Sequence, residues 1–165
     1  MPILDDRTLE FLSHSPEQTL RVGVRLGEIL RHGHVVCLEG DLGSGKTTLT
    51  QGIARGWGAL DAVTSPTFVL VNEYRRADSD ILYHVDAFRL ATAEEARGMG
   101  LPDLFDEGHV VVIEWPAQVA QVLPTDHLWV GLGWVDESRR SMKFAASGSA
   151  HLRLLGEFRK AAFGG

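Results

Sequence analysis

GDLGSGKT, from Gly40 to Thr47, gathers the residue types that hold a phosphate chain. Its spacing is G-x-x-x-x-G-K-[ST], with Gly40, Gly45, Lys46 and Thr47 in the fixed places. Glycines let the backbone curl so that several N–H groups point into one hollow. Lys46 brings a point charge to the outer phosphates, and Thr47 offers a hydroxyl to magnesium. The helix that starts there adds its positive N-terminal end. The loop is taken as residues 40–48, so Asp41, Leu42, Gly43, Ser44 and Thr48 join the expected nucleotide-binding positions. The competing reading is a plain glycine turn with an exposed lysine. A buried strand before the loop and an amphipathic helix after it favour nucleotide binding. No G-x-G-x-x-G follows the strand, so a dinucleotide fingerprint is absent.

A phosphate loop binds; hydrolysis needs further groups. Two strand-like runs end on carboxylates: ILYHVD on Asp86 and HVVVIE on Glu114. An open α/β sheet places ligands outside such strand ends. Each carboxylate alone would pass for a solvated strand end. Beside a phosphate loop, both read as parts of a magnesium site, and the pattern leaves open which one touches metal. In VTSPTF, Ser65 and Thr67 bracket Pro66 before a strand. Their hydroxyls suit either a switch-like contact to the terminal phosphate or a capped turn. Trp115 follows Glu114 and suits a stacking or gating place, or a half-buried strand end. His84 inside its strand reads as a core histidine. Arg89 reads as the ion-pair partner of Asp86 or of Glu94 and Glu95.

The elements that must position these residues follow from periodicity and breakers. Ser15 caps a helix that opens on Pro16 and stops at Gly33. His34–Gly40 is a short buried strand, and Lys46–Trp57 a helix ended by Gly58. Phe68–Tyr74 and Ile81–Asp86 are strands joined by RRADSD, a link that permits only an antiparallel pair. ATAEEARGMG is a short acidic helix, PAQVAQVL a short helix with Pro116 at its start, HLWVGLGW and SMKFAA are strands, and HLRLLGEFRKAAF is a closing helix. The expected fold class is α/β: three layers in the manner of a phosphate-loop NTPase, with a mixed, mostly parallel sheet flanked by helices. At 165 residues the chain suits one domain over 1–165. A formal charge of -6 argues against a surface built to hold bare nucleic acid, and no direct DNA binding is expected. One cysteine, Cys37 in VVCLEG, forbids an internal disulfide and points to a reducing compartment. The N-terminus lacks the basic start of a signal peptide, and no run approaches the roughly 18 apolar residues of a membrane span. The chain is expected to be cytoplasmic, with no membrane partner.

GDLGSGKTTLTQGIARGWG, VTSPTFVLVNEY, YHVDAFRL and GMGLPDLFDEGHVVVIEWPAQ, in this order, resemble the bacterial TsaE family (older name YjeE), the small ATPase of tRNA threonylcarbamoyladenosine biosynthesis. The resemblance implies ATP as substrate and magnesium as cofactor. Thr47 and Glu114 match the family's magnesium positions, Asp86 its acidic residue needed for hydrolysis, and Trp115 its functional tryptophan. Ser65 and Thr67 match its switch-like loop. Glu17 falls in the segment near the adenine, and Arg139 in a late strand–loop region that approaches the nucleotide. Phe88 departs from the family's usual tyrosine, which removes a hydroxyl and keeps the aromatic packing. The family works with TsaB and TsaD, reaching tRNA indirectly, and its hydrolysis resets that complex between turnovers. On this reading Lys46, Asp86 and Glu114 carry a catalysis that is weak alone and stimulated by partners. Two other classes compete: a small-molecule kinase, for which no arginine-rich lid is visible, and a nucleotide-dependent binding module without turnover.

Overall fold

Continuous apolar runs, rather than alternating ones, mark strands buried on both faces. VVCLE and VVVIE are such runs, and they form β2 (Val35–Glu39) and β5 (Val110–Glu114) at the middle of a seven-stranded sheet. The computed structural model describes residues 5–61 and 71–163. Its sheet order is β1-β7-β6-β2-β5-β4-β3. The outer members are β1 (Thr8–Ser13), β3 (Val71–Arg75), β4 (Ile81–Asp86), β6 (His127–Trp134) and β7 (Arg140–Ser147). The β6–β2–β5–β4 block is parallel. β7 runs antiparallel to β6, β1 antiparallel to β7, and β3 antiparallel to β4. The sheet is thus mixed and mostly parallel, as expected, with the β3–β4 hairpin where the six-residue link required it.

Helices cover both faces. α1 (Pro16–Ile29), α2 (Lys46–Trp57) and α5 (Ser149–Phe163) pack on one, over a core that includes Leu26, Ile53, Phe144 and Phe158. α3 (Ala93–Gly98), α4 (Leu101–Asp106) and a 3-10 helix (Pro116–Val122) cover the other, around Cys37, Ile113, Leu101 and Val119. Cys37 is fully buried in that core, and burial pushes its thiol up to about 12, so it is inert packing. α1 starts as expected: the Ser15 side chain accepts the Gln18 N–H at 3.1 Å, ahead of Pro16. It stops at Ile29 rather than Gly33, because Leu30 is already extended. α1 and α2 approach so closely that a Cβ on Gly23, Gly27, Gly52 or Gly56 would overlap backbone of the facing helix.

Three elements differ from the sequence expectation. β1 and α4 were not foreseen, and the PAQVAQV segment is 3-10, broken at Val119 (φ -127°, ψ 25°). Residues 68–70 of the expected strand before β4 lie outside the described residues. Among the described residues no helix is long and apolar enough to cross a membrane.

Candidate functional site

The parallel strands deliver their C-terminal ends to one side of the sheet, and the phosphate loop leaves β2 there. Two glycines hold it in conformations that a side chain resists, Gly43 at φ 81° and Gly45 at φ 104°. Gly40 is required by space: a Cβ there would meet Ser44 Oγ at 2.5 Å and the Leu132 carbonyl at 2.7 Å. Gly45 caps α2 without a side-chain acceptor. Gly45 brings no side chain to the first turn of α2, and the N-terminal end of that helix suits an anion. Leu42, Gly43, Gly45, Lys46, Thr47 and Thr48 line a cavity of about 390 Å³. That is the size of a small-ligand site. Gly40, Asp41 and Ser44 shape the loop without lining the cavity, and the Ser44 hydroxyl is buried with no hydrogen-bond partner among the described residues.

Lys46 is drawn back onto its own loop. Its Nζ donates to the Gly40 carbonyl at 2.5 Å and lies 3.7 Å from the centroid of the Trp115 ring. Burial holds its pKa below the usual lysine value, against the opposing pull of Glu114, Asp86 and Asp41. Trp115 reaches this place through a left-handed backbone, φ 59° and ψ 50°. For a non-glycine residue that conformation costs roughly 1–2 kcal/mol. It turns the chain sharply between Glu114 and Pro116, with the Trp115 N–H bonded to the Leu38 carbonyl at 3.2 Å. Phe88 packs on the indole at 5.0 Å between ring centroids. The aromatic packing expected of Phe88 is therefore in place.

Asp86 and Glu114 are direct register partners at the ends of β4 and β5. Both line the cavity opposite Lys46 and Thr47. Asp86 Oδ1 accepts the Phe88 N–H at 3.0 Å. Glu114 is buried, 7% exposed, and its Oε2 accepts from His84 Nε2 at 2.6 Å. His84 is thus a buried histidine as read, but its partner is the candidate catalytic carboxylate, a link that the spacing of 30 residues hides. Arg89 is exposed, in the turn between buried Ala87 and Leu90, and makes no ion pair with Asp86, Glu94 or Glu95.

The far wall comes from Pro16 and Thr19 at the start of α1 and from Ser138 and Arg140 at the β6–β7 turn. Glu17, between the two α1 residues, is exposed and does not line the cavity. Arg139 does not line it either: its Nε bonds Asp136 Oδ2 at 2.7 Å within the turn. That bond, with the Arg139 and Ser138 amides, holds the Asp136 carboxyl down to about 2. The neighbouring Arg140 lines the cavity instead, since it begins β7 and faces the loop. Arg140 donates to the carbonyls of Gly43 at 3.1 Å, Asp136 at 2.6 Å and Arg139 at 2.9 Å. Ser65 and Thr67 lie outside the described residues.

The donors suit magnesium held jointly with a phosphate. Among the described residues no group of three or more His, Cys, Asp or Glu side chains could hold a metal alone. Magnesium needs no such cage; it takes one or two carboxylates and completes its shell with water and phosphate oxygens. Glu114, Asp86 and the Thr47 residue share one cavity, as that chemistry requires.

Residues 13–142 match the family described as threonylcarbamoyl adenosine biosynthesis protein TsaE. A Haemophilus influenzae protein named tRNA threonylcarbamoyladenosine biosynthesis protein TsaE is 41% identical over 125 residues, covering 73% of this chain and 78% of that one. Its Bacillus subtilis namesake is 32% identical over 151 residues, covering 92% and 94%. The crystal structure of Bacillus subtilis YdiB superposes with a TM-score of 0.77 at 29% identity, covering 97% of each chain.

Proposed function

The chain belongs to the TsaE family of threonylcarbamoyladenosine biosynthesis proteins, and from that premise we propose that it serves tRNA modification as a magnesium-dependent ATP hydrolase. The observation that carries the reading is the pairing of Asp86 with Glu114 at neighbouring strand ends, in the same cavity as Lys46 and Thr47. In this reading the amides of the loop and of the first turn of α2 receive phosphate oxygens. Lys46 leaves the Gly40 carbonyl and the Trp115 ring to meet the outer phosphates. Thr47 and Glu114 would hold magnesium, which when bound supplies positive charge to the transferring phosphoryl group. Asp86 orients the attacking water and takes its proton.

Turnover by the chain alone is expected to be slow. The cavity arginine, Arg140, is engaged by three carbonyls and leaves the developing charge with little further help. Proteins of the TsaD and TsaB type are proposed to complete the site, with tRNA reached only through them. Hydrolysis then resets that assembly between turnovers. The net charge of -6 suits docking on protein partners better than holding tRNA directly. The test is phosphate release from ATP with magnesium, by the chain alone and with a TsaB–TsaD pair. Slow release that rises strongly with the pair is expected; release unchanged by the pair overturns the partner-stimulated reading.

A further inference from the structure

Glu114 is anchored from behind by a group that the proposed chemistry does not use. His84 is 1% exposed, and its Nε2–H donates to Glu114 Oε2 at 2.6 Å. The other ring nitrogen, Nδ1, lies 3.4 Å from the Tyr74 hydroxyl, and the two rings stack at 6.0 Å between centroids. Asn72 Nδ2 reaches the same hydroxyl at 3.4 Å. The chain of contacts runs across β3, β4 and β5 and ends on the carboxylate at the cavity wall. Among the described residues no hydrogen bond reaches the second oxygen, Oε1, while Glu114 itself lines the cavity.

An ionised carboxylate has two acceptor oxygens. A freely rotating glutamate presents either one, in many geometries, and loses that freedom when it is ordered. We infer that His84 is a positioning residue for Glu114: it fixes Oε2 and leaves Oε1 as the oxygen offered to a magnesium–phosphate ligand. The inference rests on the magnesium reading of the site and adds to it the group that sets ligand geometry. A buried carboxylate–imidazole contact is a poor stability device in itself, because desolvation offsets its attraction. A pair placed at the cavity wall, with one oxygen left over, suits orientation. Tyr74 and Asn72 in turn limit rotation of the imidazole, so β3 is coupled to the carboxylate through His84.

The experiment uses the full chain and the non-hydrolysable ATP analogue AMP-PNP, titrated by calorimetry at a series of magnesium concentrations. Three substitutions are compared with wild type: His84→Leu, His84→Gln and His84→Asn. Loss of hydrogen bonds behind a metal ligand costs about 10- to 100-fold in metal affinity. His84→Leu is therefore expected to raise the magnesium midpoint by that factor, with the Kd for AMP-PNP at saturating magnesium near wild type. His84→Gln extends an amide N–H to the place of Nε2–H and is expected to keep the midpoint near wild type. His84→Asn is too short to reach Oε2 and is expected to behave like the leucine variant. If leucine prevents folding, the Gln–Asn comparison carries the test. A wild-type midpoint in the leucine or asparagine variant, or a glutamine variant shifted as far as they are, overturns the inference. Wild-type binding of AMP-PNP that does not depend on magnesium overturns the functional reading, and with it this one.

Discussion

Two carboxylate–histidine pairs of equal length sit at opposite ends of the sheet. Glu114 and His84 meet at 2.6 Å where the parallel strands finish; Asp126 and His151 meet at 2.6 Å where β2 and β6 begin. Their surroundings differ. Asp126 Oδ1 also accepts the His151 N–H and Oδ2 accepts the Ala150 N–H, both at 3.1 Å, so the carboxylate caps α5. Gly148 makes room for it, since a Cβ there would collide with the Asp126 side chain. The second nitrogen of His151 accepts the Val35 N–H at 2.9 Å. Every polar atom of that pair is occupied by protein. Glu114, in contrast, keeps an oxygen over at the wall of a cavity. The same two residue types therefore build a joint at one end and a candidate site at the other. Surplus hydrogen-bonding capacity, not pair distance, tells them apart.

The largest expected effect breaks the site end alone. Lys46→Ala removes the cation beside the loop, and ATP affinity should fall by two orders of magnitude or so, the order expected from losing a charge-assisted contact of about 3 kcal/mol. Thermal stability should stay near wild type, because Lys46 joins no core cluster. Unchanged affinity in a binding titration would remove the phosphate-loop assignment.

The next effect breaks the joint alone. Asp126→Ala loses the α5 cap and strands a buried imidazole N–H, a cost of about 2–4 kcal/mol in denaturant unfolding. Phosphate release per folded molecule should not change. A variant that melts like wild type but turns over slowly would reverse the roles given to the two pairs.

The smallest effect is a pH dependence that belongs to the joint. His34 Nδ1 accepts the Arg31 N–H at 2.8 Å, and burial drives its pKa down to about 4. Burial likewise lowers His151, which packs edge-on against His34 at 5.2 Å. Both are harder to protonate in the folded protein than in the unfolded chain. The unfolded state thus binds more protons below the ordinary histidine value of 6.5, and stability falls as pH drops from there towards about 4. Melting temperatures at pH 7.5 and pH 5 check this, with the lower value expected at pH 5. Equal values would mean that neither histidine is held neutral by the fold.

The legibility of the two ends differs for a physical reason. The phosphate loop and α2 are local: Gly45, Lys46 and Gly58 carry their own start and stop, so α2 runs from Lys46 to Trp57 as read. β4 and β6 also fall on the bounds read from their apolar runs. The His84–Glu114 contact is set by the register of two strands, and nothing near either residue announces it. That Arg140 rather than Arg139 lines the cavity has a similar origin. Two adjacent arginines differ only in which one begins β7, and the hairpin register with Trp134 decides that. Pro16 and Thr19 join the wall because α1 packs on α2 through glycines at positions 23, 27, 52 and 56, a spacing present in the sequence but assigned no meaning there. β1 lies at the sheet edge, and only its pairing with β7 makes it a strand.

The most direct test of the contrast is magnesium-dependent phosphate release by Glu114→Gln, measured beside wild type with its melting temperature recorded. Glutamine keeps a carbonyl oxygen for His84 and removes the charge offered to magnesium. The account predicts a loss of about 100-fold or more in turnover, the scale of a removed charge-stabilising group, with the melting temperature little changed. Turnover equal to wild type would contradict it and make Glu114 a second joint like Asp126.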